Sequence, residues 1–394
     1  MTRHLRTLAV STVTAATALW LVGSALAGPI NPPAGPVSST YKTLTEVEPR
    51  TAINLTNTPG DADSLFKITQ PGSYYLTGNI TGVLGKSGIE IGSSRVTLDL
   101  SGFHLLGVAG SLSGIAFDTV RTSIHIGDGF ITNWGVDGIR TSTFGGNNLV
   151  IERIHSSSNA GDGIFAHSGT VRNCTVFNNG GRGISHANLV QNCTASNNAD
   201  HGILATTGSL VENCVVQGNG GDGINTASGS IITGCIARSN GGNGIIAFGN
   251  STISRCVATL NTRSGINGQF GTTILDCTSS GNDLSGISVQ GSCNVRGNTC
   301  HNNGSAGIIV NGNSSTRIEG NSFNGNVRGL WVTGPTHIII RNTASGNTTR
   351  NWDIDANNVV GPIINRTAVV SAAITTDSAP DSTGSTHPNA NFSY

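Results

Sequence analysis

The chain has 394 residues, 21 basic and 21 acidic side chains, 5% aromatics and 55 glycines. With no basic excess to track phosphates, an electrostatic nucleic-acid partner is excluded, and 36% hydrophobic residues exclude a charged disordered chain. The glycines follow no three-residue period, so collagen is excluded too.

Residues 1–27 read as a secretory signal peptide. Arg3, His4 and Arg6 form a basic start, an apolar stretch runs from Leu8 to Val22, and Ala25-Leu26-Ala27 offers a small-residue cleavage site before Gly28. The apolar stretch is short for a bilayer span and nothing later reaches spanning length. The mature chain is therefore expected to be secreted or held at the cell surface, with no membrane span. Residues 28–40 follow as a flexible linker, with four prolines between Gly28 and Pro36. Residues 41–110, including "FKITQPGSYYLTGNI" and "VTLDLSGFHLLG", precede the regular repeats and are expected to cap their open apolar end.

Residues 111–366 repeat with a period near twenty. An aliphatic position recurs at Ile151, Val171, Val190, Val211, Ile232, Ile253, Ile274, Val295, Ile318 and Ile339. Eight residues after each stands an asparagine, from Asn159 and Asn179 through Asn240 to Asn347. A Gly-Ile pair keeps step, from Gly138-Ile139 through Gly223-Ile224 to Gly307-Ile308, and closes with Gly329-Leu330. Apolar runs such as "CVVQ" and "CIAR" are short, rich in Val and Ile, and alternate with period two, with turn residues between them. Three short strands and three bends per repeat make one circuit of an all-β coil. The aliphatic positions fill a narrow core, the asparagines tolerate left-handed angles and stack along the rod, and Gly serves a tight bend. About a dozen circuits are expected. Residues 367–394 are polar and read as a C-terminal tail, loose or laid along the rod as a strap.

Cys174, Cys193, Cys214, Cys235, Cys256 and Cys277 occupy one ladder position, which Asn298, Asn321 and Asn342 continue. Stacked thiols pointing the same way suit disulfide geometry poorly, so a buried column of reduced thiols is expected. No Cys/His spacing suggests a metal centre. Cys293 and Cys300 lie off this ladder, and a bond between them stays open.

The repeated motif, apolar-x-x-[Asn/Cys]-x-apolar followed by Asn and Gly-Ile, resembles the right-handed parallel β-helix of the pectin-lyase-like superfamily, over about residues 86–365. The resemblance implies a single solenoid with N- and C-terminal caps. It does not fix a function, because that fold hosts lyases, hydrolases, epimerases, adhesins and tailspikes.

Chemistry is sought at the residue before each Gly-Ile pair, which starts a strand. In order these are Asp137, Asp162, Arg182, His201, Asp222 and Asn243, then Ser264, Ser285 and Ala306. The ionisable residues occupy five consecutive circuits and stop; these five are the candidate catalytic residues. Arg140 and His167, facing out on the same strands, are candidate substrate-binding residues. "VDGI", "GDGI" and "DHGI" are similar to strand starts in polygalacturonase-type hydrolases, but the Asp-Asp doublet, Gly-His-Gly and Arg-x-Lys of that pattern are missing and the Arg182 circuit is additional. The lyase motifs and the Asp-Pro-His of epimerases are also missing. Two carboxyls about 5 Å apart, one strand spacing, suit glycoside hydrolysis. Uronide elimination would use Ca²⁺ with Arg or His; otherwise no cofactor or metal is expected. Against both stands plain turn chemistry, since Asp-Gly is a common turn dipeptide and Asn, Ser and Ala fill the same position later. His155 and His186 read as isolated, and few aromatics are apparent on the repeats for sugar stacking. The expectation is a secreted protein that binds or modifies extracellular polysaccharide; the alternative is a non-catalytic surface or matrix protein. Enzyme status stays open.

Overall fold

A computed structural model describes residues 48–143, 148–365 and 387–394. The signal peptide and linker read over residues 1–40, and most of the expected tail, lie outside the described residues. From Arg50 onward the described chain is one right-handed β-solenoid without helix. One turn shows how it is built. Ile224–Thr226, Ile231–Thr233 and Ile236–Arg238 each pair in parallel with the next turn's Ile245–Ala247, Thr252–Ser254 and Val257–Thr259. Sheet I contains the Gly-Ile strands, sheet II the aliphatic ladder, and sheet III the strands that follow the cysteine or asparagine. In places one strand bends through a corner and serves two sheets, as Ile203–Glu212 does for sheets I and II.

The rod has about fifteen turns, rather than the dozen expected. The difference lies in the opening segment. Thr51–Ala52, Gly72–Tyr75 and Val96–Asp99 already stack in register in sheet II before the regular motif begins. The core is narrow and dry: Ile203, Ile224 and Ile245 from sheet I meet Val211, Ile232 and Ile253 from sheet II, all fully buried. Burying such side chains contributes about 1.5–3 kcal/mol each.

Two corners differ from the sequence reading. The ladder asparagines do not make the left-handed bend; the residue before each does, as at Asn178 (φ 55°), Asn197 (φ 53°) and Ser239 (φ 54°). The ladder residue is free to turn its amide inward. Nor does the Gly of Gly-Ile require an unusual φ. A Cβ on Gly223 would lie 2.5 Å from the Gly244 carbonyl and 2.7 Å from the Asn240 amide. Close stacking of turns demands the glycine there.

The asparagine ladder is hydrogen-bonded throughout. Asn219 donates both its backbone N–H (3.1 Å) and its Nδ2 (3.0 Å) to Oδ1 of Asn240, and Asn240 repeats this on Asn261. Stacked thiols form the second ladder, and all eight cysteines are free and buried. Cys235 Sγ donates to the Val211 carbonyl one turn back (3.6 Å), the contact that Asn298 Nδ2 makes with Ile274 (3.1 Å) further along. Cys293 belongs to a third ladder that the sequence reading missed. There Cys293 donates its N–H to Thr316 Oγ1, Thr316 to Nδ1 of His337, and His337 to Oδ1 of Asn358. Cys300 points into the core between Ser279 and Phe323.

The last residues are no loose tail. Asn391–Ser393 is a strand of sheet III, lying between Thr343–Ser345 and Ile363–Asn365 and parallel to both. Asn391 Oδ1 accepts the N–H of Asn342 (2.9 Å), so it is the final rung of the second ladder. Among the described residues no helix is long and apolar enough to cross a membrane.

Candidate functional site

The strand-start residues of sheet I form a column of side chains that hold the backbone of the next turn. Asp137 Oδ1 accepts the N–H of Asp162 (2.6 Å), and Asp162 Oδ1 accepts that of Arg182 (2.8 Å). Further along, His201 Nδ1 accepts from Asp222 (2.9 Å) and Asp222 Oδ1 from Asn243 (2.7 Å). The polarity is the reverse of the asparagine ladder, where each side chain takes the backbone of the turn before. The remaining carboxylate oxygens are engaged too. Asp137 Oδ2 accepts from Arg140 (2.6 Å), Asp162 Oδ2 from the Ser185 hydroxyl (2.5 Å), and Asp222 Oδ2 from the Asn225 amide (3.1 Å). Asp137 is only 4% exposed. Burial pushes its carboxyl above the usual range, against the hydrogen bond from Arg140.

Arg182 reaches sideways to Asp200 (3.1 Å), a carboxylate the sequence reading passed over. His186, read from the sequence as isolated, has neighbours after all, although its position has no counterpart in the next turn. Sheet I slips register between Ser185 and Ala187, and His186 takes φ 62° in the bulge. A bulge re-aims a side chain. The His186 ring lies 4.7 Å from Phe165 and 6.0 Å from His167, nearly parallel to the latter. The Arg140 guanidinium stands 5.4 Å over Phe165. The structure thus joins Arg140 and His167 through two residues that sequence spacing did not place. Nδ1 of His186 is buried and has no hydrogen-bond partner among the described residues. Burial, then the charges of Arg182 and His167, lowers its pKa, which favours the neutral ring.

The column does not end at Ala306, as the sequence reading had it. It continues in register with Arg328 and Arg350. Arg328 bonds Asp353 (2.9 Å) and lies 4.2 Å over the Trp331 ring, while Arg350 meets Asp353 at 3.2 Å. Between these ends, Leu204 and Asn225 on sheet I and Phe248 in the adjoining bend border a groove of about 390 Å³. Phe248 is 38% exposed, so the face is better supplied with aromatics than the repeats suggest.

Among the described residues one acidic group could gather on a metal ion: Asp61, Asp63 and Glu90, at the start of the rod. The Lys67 ammonium already bonds Asp61 (2.7 Å) and Glu90 (2.6 Å). Among the described residues no second group of this kind gathers in the strand-start column.

A family described as "Right handed beta helix region" matches residues 68–209, 184–262 and 204–349, together more than half of the chain. The chain belongs to the right-handed β-helix family. No curated protein matches its sequence. Among solved β-helix structures it is similar to the A-module of mannuronan C-5 epimerase AlgE4 from Azotobacter vinelandii. The two are 17% identical with a TM-score of 0.55, over 68% of this chain and 90% of that one. The periplasmic alginate epimerase AlgG is 10% identical with a TM-score of 0.42, over 78% and 81% of the two chains. The Dettilon tailspike protein gp208 is 15% identical with a TM-score of 0.34, over 74% and 61%. At these identities the likeness is one of fold.

Proposed function

We infer that this β-helix protein is exported and binds an extended polysaccharide across the outer face of sheet I. The observation that carries the reading is the cluster of Arg140, His167 and His186 packed around Phe165 beside the strand-start column, two turns from the groove at Leu204, Asn225 and Phe248. Phe165 itself is only 9% exposed, so the surface offered is the guanidinium and the half-buried imidazoles, with Phe248 in the groove, ring faces and donors that suit a sugar's apolar face and its hydroxyls. The basic, apolar and Ala-x-Ala pattern of residues 1–27 supports export. AlgE4, whose A-module shares this fold, is a mannuronan C-5 epimerase. Arg140 of the cluster and Arg182 of the adjoining column are already paired with aspartates. The face therefore suits a hydroxyl-rich glycan better than a densely charged one.

The committed carboxylates favour binding over hydrolysis. A glycosidase needs one carboxyl free to give a proton and another free to attack or activate water. Asp137 and Asp162 each have both oxygens engaged. One observation favours a catalytic second reading: a neutral His186 with an unpartnered nitrogen can accept a proton.

The test is a glycan-binding screen with Gly28–Tyr394, alongside assays for new reducing ends and for unsaturated uronides, on the parent and on Arg140→Ala and His186→Ala. Binding lost with Arg140→Ala supports the reading. Turnover that disappears with His186→Ala would promote the second. Neither binding nor turnover on a broad panel would overturn both.

A further inference from the structure

The outward side chains of sheet I can be followed turn by turn. From Phe165 they are Ser185, Leu204, Asn225, Ile246, Asn267, Ser288 and Ile309, ending at Trp331 and Asp353. The seven between Phe165 and Trp331 carry no charge. Ser185 is buried against Asp162, and the other six supply aliphatic surface and amide or hydroxyl groups. Beyond them the character changes within one turn. Trp331 is half-buried in the outward row, flanked by Ile309 and Asp353, with Arg328 over its ring at 4.2 Å. Its indole N–H makes no hydrogen bond among the described residues. Arg350, with a side chain 64% exposed, shares Asp353 with Arg328, so the group keeps one surplus positive charge.

This arrangement repeats in kind what stands at Phe165, where an arginine also lies over an aromatic ring and is held by an aspartate, there Asp137. The two groups are eight turns apart on one continuous face, about 38 Å at the usual strand spacing. We propose that Arg328, Trp331 and Asp353 form a second saccharide-binding station, and that one mostly neutral glycan chain lies along sheet I, gripped at both ends. The inference rests on the reading that the Arg140–Phe165 face binds polysaccharide. It adds a second site and a length requirement. The indole receives the apolar face of a pyranose and its N–H a hydroxyl, Asp353 accepts from a hydroxyl, and Arg350 faces any acidic group on the chain. The uncharged floor contributes contact area without selecting for charge. Two weak stations linked by one ligand behave as a bivalent pair, so affinity should rise steeply once the glycan is long enough to reach both.

The experiment measures affinity against chain length by calorimetry. The probes are a neutral glucan and a carboxylated glycan that bind in the screen, each cut into short oligomers and into oligomers long enough to span eight turns. The proteins are the parent, Trp331→Ala, Trp331→Phe and Arg140→Ala, each checked for an unchanged thermal melt, with Arg328→Gln as a substitute should Trp331→Ala fold poorly. The expected result is a gain of tenfold or more from short to long glycans in the parent. That gain disappears in Trp331→Ala and largely survives in Trp331→Phe, while short oligomers bind Trp331→Ala at one site instead of the parent's two. A length gain identical in parent and Trp331→Ala overturns the second station, while loss of all binding in Arg140→Ala would leave the first station standing. A parent that binds no glycan of any length overturns the first reading and this one with it.

Discussion

Oδ1 of Asp137 accepts the backbone N–H of Asp162 at 2.6 Å, across one turn of the rod. The pair looked catalytic in the sequence, as two carboxyls one strand spacing apart. In the structure the first carboxyl holds the backbone of the second, and the second holds Arg182 in turn. The column is a piece of solenoid construction that also borders the proposed binding face.

That assignment separates two substitutions at one position. Asp137→Asn keeps the Oδ1 acceptor for Asp162 and removes a charge that burial disfavours, while weakening the bond from Arg140. Its thermal midpoint should stay within a range equivalent to about 1 kcal/mol of the parent. Asp137→Ala leaves the Asp162 N–H without its acceptor and should cost about 1–3 kcal/mol. Equal losses in the two variants, in melts at neutral pH, would contradict the ladder role.

The asparagine ladder makes a larger demand. Asn240→Ala strips the backbone N–H of buried Asn219 of its acceptor, although Asn219 Nδ2 keeps the Ala195 and Gln217 carbonyls. It also takes the Nδ2 donor from the Val216 carbonyl and from Asn261 Oδ1, so at about 1–3 kcal/mol for each unsatisfied buried group the loss should exceed that of Asp137→Ala. Asn347→Ala, at a less buried rung, should cost less. Urea titrations of the two variants test the order.

Acid should act in part through Glu152 on sheet II. This carboxylate is 5% exposed, and burial alone would raise its pKa. Hydrogen bonds from Arg172, His125 and Arg153 overcome that and hold it down at about 2. The unfolded chain takes up the proton near the ordinary glutamate value of about 4.3, well before the folded one does. The stabilisation is therefore complete above that value and is lost as pH falls from there toward about 2. Melting curves across this window should fall less steeply for Glu152→Gln than for the parent.

Removal of residues 387–394 should be more damaging than their distance from the binding face suggests. It takes the rung Asn391 from Asn342 and opens a gap in sheet III between Thr343–Ser345 and Ile363–Asn365. Limited proteolysis should then cut within residues 350–365 of the truncated chain while the parent resists, the first sheets remaining intact in both.

What the sequence disclosed followed from repetition. Val211, Ile232 and Ile253 declare a core because each turn restates the last, and the same logic exposed both long ladders. What it hid lies where the repeat breaks. His186 sits in a bulge within a short turn, so no neighbour in register announces it. Phe248 stands in a bend whose residue types are free to vary. Arg328 went unread because four uncharged positions, Asn243 to Ala306, separate it from the acidic run, although the register never stops. Cys293 looked stray for the same reason: Ser, Thr and His share its ladder, and only their common hydrogen bonds reveal it. Bonds between residue types that look unrelated are invisible to a search for similar letters.

The place of Asn391–Ser393 also ties the rod to the order in which the chain is made. A polypeptide that emerges N-terminus first can wind turn upon turn as it appears, each new strand settling on the one before. Sheet III breaks that sequence, because the strand seated between Thr343–Ser345 and Ile363–Asn365 comes later in the chain than either of them. That turn therefore waits for residues 391–393 to emerge. A product that stops short of them is left with a vacancy inside the turn rather than with a shorter but finished rod, and so carries a mark by which proteases can recognise it.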